Sequence, residues 1–433
     1  MIEKPFSKQR WRFFDLGLFM HIGMAVAPDL KEVEYFTPWV SAFSKPHQTK
    51  LGSGLPGLTR IQYFFNDLDS VDCFVLPDVG FGDLADHLRS LGKRVFCMGF
   101  QAEKLEVSRF FLREQLKARG LPVAPYKKIK GVSALYDELE KHPDRWVKMD
   151  NDSRGIKETF YVKTLAHALS TITKMSAALD CFREEQIFLV EEPSHPDDGV
   201  EMGDEQYTYD GNYLPVAQYG CEAKGCGYAG IYLPFDQMPG PVKHVSIETK
   251  PLIKTGRGAR STEIRFGKKQ TGGKLVGYFS DACIRYGCPP SGTMTRGWKN
   301  LTEMIYRVAG GEPVKPVPRA KYCAEIILSA SAAGTEAIPI EIKDKNLDRV
   351  LIRQFYKNSV DGFYYRIPQG DGTLVAEAVG FGASLEEAQQ EATESAELVE
   401  FDGKEYDKDI WEQLDEKLAK ADKLGVGLES GKK

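Results

Sequence analysis

"STEIRFGKKQTGGKLVGYFSDACIRYGCPPSG", residues 261–292, holds two β-rich runs around a Gly-Gly pair. Two such runs joined by Gly-Gly read as a β-hairpin. Pairing across it brings Glu263 on the first run beside Asp281 on the second. Adjacent inward carboxylates repel unless a proton or a cation lies between them. Hard oxygen donors on rigid strands suit Mg²⁺ carried in with nucleotide phosphates. The stretch also holds Cys283 and Cys288, which repeat the spacing of Cys221 and Cys226. Four thiolates in two equal pairs are compatible with structural zinc, although no Cys-x-x-Cys is present. A zinc-stabilised binding protein is therefore a competing reading.

Upstream, "RWVKM" (145–149) places Lys148 inside an apolar strand, where an ammonium is costly unless an anion meets it. A solvated edge lysine is the plainer alternative. "DNDSRGIKET" (150–159) follows as a polar loop between two strands, and its backbone N–H groups are suited to closing over phosphates. "QIFLVEEP" (186–193) reads as a buried strand ending in Glu191 and Glu192, with Glu201 and Glu205 beyond it. Such a stretch is either a solvated acidic loop or a hinge that presents backbone groups to a base, with Glu201 on ribose hydroxyls. Nearer the N-terminus, "VDCFVLPDVGFGDLADHLRSLGKRVFCMG" (71–99) has the order strand, Gly-containing loop, helix, strand, a parallel β-α-β unit. Leu84, Leu88 and Leu91 give its helical spacing. It contains no GxGxxG, so a dinucleotide site is unsupported.

The chain's 433 residues call for more than one domain. With 42% hydrophobic and 27% charged residues it is ordinary for a globular protein. A net charge of −5 argues against a protein built to neutralise nucleic-acid phosphates. No run of about eighteen apolar residues is present to span a membrane. "KQRWRFFDLGLFMHIGMAVAP" (8–28) loosely mimics an export signal, but Asp15 and His21 interrupt it, and it reads better as a buried strand and its loop. Eight dispersed cysteines indicate a reduced, cytoplasmic setting. "GGEPVKPVPRAK" (310–321) reads as a linker, "DIWEQLDEKLAKADKLG" (409–425) as an exposed helix, and the last ten residues as frayed.

The order of these parts resembles the ATP-grasp superfamily, and within it the phosphoribosylamine–glycine ligases. The superfamily's "LExSK" helix start is matched by Leu105, Glu106, Val107, Ser108 and Arg109. Its "EEfLxGxE" hinge is matched by Glu191, Glu192, Gly199 and Glu201, with extra residues between. Its "EFNxRFGDPE" is matched by "DACIRYGCPP" (281–290), and "SLEEAQQEA" and "EYDKDIW" echo the C-terminal pattern. A bacteriophage-encoded group looks closer still, which would make the setting a host cytoplasm.

The resemblance implies an α/β ATP-grasp fold, two α+β lobes clasping ATP. It also implies a pre-ATP-grasp β-α-β domain over 1–100, an ATP-grasp domain over 101–312 with a lid at about 125–185, and a C-terminal α+β domain over 313–433 with a helical tail. The activity implied is an ADP-forming carboxylate–amine ligase that works through an acyl phosphate. Lys148 and Arg109 would hold phosphates, Ser153, Arg154 and Gly155 would cover them, and Glu191, Glu192 and Glu201 would hold the nucleoside. Glu263 and Asp281 would bind Mg²⁺, Arg285 would steady the acyl phosphate, and Arg260, Pro289, Pro290 and Ser291 would face the acceptor. The partners are then a small carboxylate and an amine, such as an amino acid and a nucleotide-like amine, acted on by a monomer or homodimer. Two departures stand out. Cys283 occupies the family's metal-binding asparagine position, and a thiol is a poor Mg²⁺ ligand. The N-terminal "GxGxREHA" has no counterpart, so the acceptor should differ from phosphoribosylamine. The rival implied by those departures is a nucleotide-binding module without turnover.

Overall fold

The computed structural model describes residues 4–38, 49–150, 159–194, 199–268, 272–368 and 372–432. Its N-terminal part is a parallel sheet of five strands: β1 (Arg10–Phe14), β2 (Glu32–Phe36), β3 (Leu58–Arg60), β4 (Cys73–Val75) and β5 (Val95–Phe96), in the order β3-β2-β1-β4-β5. The β-α-β reading of 71–99 is observed as β4, helix Gly82–Ser90 and β5. The helix buries Ala85 and Leu88, whereas Leu91 is exposed just past its end. The apolar segment near the N-terminus gives β1, then helix Met20–Val26 where a loop was expected.

A four-stranded antiparallel sheet follows: β6 (Tyr126–Lys130), β7 (Arg145–Met149), β8 (Thr159–Val162) and β9 (Ile187–Glu191), in the order β6-β9-β7-β8. Helices Val132–Lys141 and Leu165–Leu179 cover one face and share with it a core of their own, including Leu135, Leu139, Val147, Ile172 and Phe188. Strand alternation puts Val147 and Met149 into that core and turns Trp146 and Lys148 to the opposite face.

The largest sheet has nine strands. It comprises β10 (Val200–Tyr209), β11 (Asn212–Tyr213), β12 (Val216–Ala223), β13 (Gly227–Pro234), β14 (Arg257–Lys268), β15 (Leu275–Cys283), β16 (Tyr322–Ser329), β18 (Val350–Ile352) and β21 (Leu374–Gly382). Its main order is β15-β14-β10-β12-β13-β16-β21-β18. A small sheet of β17 (Ile338–Ile342), β19 (Phe355–Lys357), β20 (Tyr364–Arg366) and β22 (Val399–Glu400) flanks it. The β13–β16 pairing carries hydrogen bonding across the proline-rich stretch. That stretch is not slack, because Val317 O accepts from Lys299 N at 2.8 Å and Gly297 O from Arg319 N at 2.7 Å.

The C-terminal helix, Ile410–Leu424, is not fully exposed. It buries Ile410, Leu414, Leu418 and Ala421. The residues after it are tied down as well: Val426 is fully buried, and Glu429 pairs with Lys321 at 2.5 Å. Their apolar side chains cover the large sheet, which a frayed tail could not do.

Helix Leu385–Ala396 starts at a Ser384/Glu387 capping box and lies against β21 at Gly380. A Cβ there would collide with backbone atoms of Ala388 and Ala392, which cannot rotate aside. Gly380→Ala should therefore lower the unfolding free energy by about 1–3 kcal/mol, read from urea midpoints. An unchanged midpoint would mean the helix can lift off the sheet.

Candidate functional site

A cavity of about 350 Å³ lies between the exposed face of the four-stranded sheet and the β10–β14–β15 edge of the large sheet. Lys148, Thr159, Glu191 and Glu192 reach it from the first; Glu201, Lys224, Glu263 and Asp281 line the other side.

Its geometry turns on an irregularity in the hairpin that opened the sequence reading. Glu263 pairs with Asp281 in register, as expected, but the next residue, Ile264, pairs with Phe279. Ser280 is thus the extra residue of a β-bulge, and its backbone groups leave the ladder. Its carbonyl accepts from Lys148 Nζ at 3.0 Å and from Arg113 Nη2 at 3.0 Å. Its hydroxyl has one proton to donate and lies within reach of two acceptors, Glu263 O at 2.9 Å and Glu201 Oε2 at 3.1 Å.

Lys148 is nearly buried, and the anion it meets is Glu191 at 3.3 Å. Arg113 Nε holds the other oxygen of that carboxylate. Burial would push the Glu191 carboxyl up, but Lys148 and Arg113 outweigh it and the group lies below its ordinary range. Burial also draws the Lys148 ammonium down, against the pull of Glu191. Two cations, from helix Arg109–Ala118 and β7, thus meet at one bulge carbonyl and share one carboxylate from β9.

Each member of the carboxylate pair has its own cation. Arg109 Nη1 pairs with Asp281, and Lys224 Nζ pairs with Glu263 Oε2 at 2.5 Å and with Glu201 Oε1 at 3.6 Å. Burial opposes ionisation of Asp281, yet Arg109, Lys148 and Lys224 prevail and hold the carboxyl at about 2. Burial and the neighbouring Glu201 raise Glu263 to about 8, since one ammonium serves several carboxylates. Those carboxylates, Glu263 first, raise Lys224 against the effect of burial.

The depressed Asp281 value has a measurable consequence. A carboxyl held below its unfolded value of 3.8 contributes stability in full above that pH and loses it as pH falls through about 2. Between about pH 5 and about pH 3 the native protein should lose about 1 kcal/mol more than Asp281→Asn in urea titrations. Equal losses would show that the Arg109 pairing does not persist in solution.

Arg285 lies past the end of β15. Its Nε is held by Glu106 at 2.9 Å and Asp78 at 3.6 Å, and Glu106 also accepts from Ile284 N at 2.6 Å. The Leu105–Arg109 segment thus grips both ends of the "DACIR" strand, Glu106 on Arg285 and Arg109 on Asp281. Glu192 lines the cavity, but its N–H is spent on Pro125 O at 3.0 Å. Ser153, Arg154 and Gly155 lie outside the described residues.

Two expectations need correction. Arg260 is buried, paired with Asp204 at 3.2 Å and stacked on Tyr213, and cannot face an acceptor in solution. It lies three residues from Glu263 on one strand, so alternation sends it to the opposite face. Pro289, Pro290 and Ser291 do not form an open loop either. All three are buried, and the Ser291 hydroxyl donates to Glu377 Oε2 at 2.9 Å beside Arg353. The Arg353–Glu377 pair on the large sheet needs those partners because both groups are fully buried.

The four-thiolate arrangement is not formed. Cys221 is buried on β12, and Cys288 Sγ contacts Glu377 Oε1 at 3.4 Å. Among the described residues no group of three or more His, Cys, Asp or Glu side chains is placed to hold a metal ion. The register-paired Glu263 and Asp281 supply two hard oxygen donors to one cavity, which fits Mg²⁺ if phosphate or water completes its shell. Cys283 does not fit that shell.

Sequence reading missed Lys224, Arg113 and Ser280. Arg113 carried a signal, since it stands four residues after Arg109 on the same helical face. Lys224 sits in a turn, "AKGC", that reads as any solvated hairpin tip.

No family model matches the chain, and no curated protein matches its sequence. Solved structures do match. Phosphoribosylamine–glycine ligase from Thermotoga maritima superposes with a TM-score of 0.64 at 19% identity, over 92% of this chain and 98% of that one. The biotin carboxylase domain of 2-oxoglutarate carboxylase from Hydrogenobacter thermophilus, solved with MgADP, ADP and bicarbonate, gives 0.62 at 12% identity over 98% and 99%. The L-amino acid ligase of Bacillus licheniformis gives 0.56 at 16% identity over 94% and 100%. The chain has the ATP-grasp fold.

Proposed function

We propose that the chain is an ATP-dependent carboxylate–amine ligase that releases ADP and phosphate. The supporting observation is the cavity itself, where Lys148 on one sheet and a register-paired carboxylate couple on another face the same space. In this reading the segment at about 125–185 is the lid. Lys148 and Arg109 hold phosphate oxygens, while Glu191, Glu192 and Glu201 border the nucleoside. Glu191 acts on the nucleotide through Lys148, whose ammonium it fixes.

Glu263 and Asp281 hold Mg²⁺, which when bound neutralises phosphate charge. A substrate carboxylate oxygen attacks the γ-phosphorus and ADP leaves. The amine nitrogen then attacks the acyl carbon, loses its proton, and inorganic phosphate departs as the amide forms. The chain's own contribution is positioning and charge compensation. Arg285, held by Glu106 and Asp78, steadies the acyl phosphate in this reading. With Arg260 and Ser291 buried, the acceptor is left to groups nearer Arg285.

The test is ADP release by purified protein with Mg²⁺ and ATP across paired carboxylates and amines. Release that needs both members of one pair supports the ligase. In this reading the pair belongs to a host cytoplasm, as the bacteriophage likeness implies. The second reading, a nucleotide-binding module without turnover, is favoured by one observation: Cys283 stands where an oxygen donor would complete the metal shell. ADP binding by calorimetry with no release for any pair would establish it.

A further inference from the structure

Lys224 lies at the tip of the β12–β13 hairpin, and nothing assigned to the reaction so far employs it. The hairpin is fixed in place: Cys226 N donates to Ala223 O at 2.8 Å to close the turn, and Lys417 Nζ holds Glu222 O at 2.9 Å. From this anchored turn the side chain enters the cavity and meets Glu263 Oε2 at 2.5 Å, with Glu201 Oε1 at 3.6 Å. Glu263 is also the carboxylate best placed to take a divalent cation together with Asp281. Asp281 is engaged by Arg109 in the same way.

A Mg²⁺ ion binds carboxylate oxygen at about 2.1 Å. An ammonium on that same oxygen would then lie about 4 Å from a double charge, and the two repel. The two cations therefore compete for that oxygen of Glu263. When a bare metal ion arrives, the displaced ammonium keeps only the more distant Glu201 and solvent. When the metal arrives with a polyphosphate, the phosphate oxygens take up the ammonium.

We propose that Lys224 is an internal competitor for the metal: it occupies Glu263 in the nucleotide-free protein, so the divalent cation enters with the nucleotide and not before it. This rests on the assignment of Glu263 and Asp281 as the metal carboxylates.

The experiment is Mn²⁺ titration of the full chain without nucleotide, followed by electron paramagnetic resonance of free Mn²⁺. Lys224→Met and Lys224→Gln should each bind one Mn²⁺ at least about tenfold more tightly than the native protein. Lys224→Arg, which keeps the cation, should stay near the native value, and Lys224→Met combined with Glu263→Gln should lose the gain. Native-like Mn²⁺ affinity in both neutral variants overturns the proposal, as does a gain that survives Glu263→Gln. A separate calorimetric titration with ADP and Mn²⁺ keeps the two ideas apart. Absent ADP binding defeats the nucleotide reading while the Mn²⁺ comparison still decides the role of Lys224. ADP binding with unchanged Mn²⁺ affinities defeats the competitor alone.

Discussion

Asp281→Asn should cut Mg²⁺-dependent ATP turnover by about a thousandfold while the protein stays folded, and Cys283→Ser should not. A metal carboxylate contributes several kcal/mol of charge stabilisation, and about 4 kcal/mol corresponds to that factor in rate. The amide keeps the size of the side chain but not its charge. It also removes the charge that Asp281 sets against Arg109, and a guanidinium next to the metal would weaken cation binding further. Cys283 is different. Burial pushes its thiol well above the ordinary range, so it is a neutral group that offers the cation nothing. A serine there supplies a hard oxygen, and turnover should hold or rise. The check is ADP release against Mg²⁺ concentration for both variants, with thermal midpoints alongside. If the cysteine change is the more damaging, the thiol takes part in the chemistry and the metal assignment of this strand fails.

Lys148→Ala should weaken nucleotide binding about a hundredfold, the value of one charge-assisted phosphate contact at 2–3 kcal/mol. The structure adds a control. Lys148 also neutralises Glu191 and bonds the Ser280 carbonyl, so its removal disturbs the bulge as well as the phosphate site. Arg113 reaches both of the same partners and should keep the bulge in place. Glu191→Gln therefore separates the roles: it leaves the ammonium present, held by the Ser280 carbonyl but without its carboxylate, and should cost less affinity than loss of the lysine. Calorimetry with ADP reads both variants. Native-like affinity in Lys148→Ala would remove the lysine from the nucleotide site and leave it as the partner of Glu191.

How much of this was legible in the sequence differs between one strand and the next. That Glu263 and Asp281 share one hairpin was readable from two β-rich runs around Gly-Gly. Regular pairing from that turn does not set them opposite each other: the extra residue at Ser280 brings Asp281 into register. Alternation also implied that Lys148 lies on the face opposite Val147 and Met149. By the same rule Arg260, three residues before Glu263, could have been sent away from the cavity; the family resemblance put it facing the acceptor instead. The β4–helix–β5 unit was clear for the same local reason, since its parts are consecutive and short.

Other features were decided only by contacts between distant segments. Lys224 reaches Glu263 because β10 pairs with β14 on one side and β12 on the other, which carries the β12–β13 tip to the carboxylate edge. Ser291 is withdrawn from the acceptor side because Arg353 and Glu377, more than sixty residues later in the chain, need its hydroxyl inside the core. The sequence by itself determined which hairpin carries the two carboxylates and which strand carries a lysine in need of an anion, since both follow from patterns along a few residues. The bulge at Ser280 that sets the carboxylates side by side is not in that pattern. The tertiary structure alone decided which cation meets each carboxylate, because long side chains on separate strands meet only after the sheets have assembled, and burial then compels every charge to find a partner.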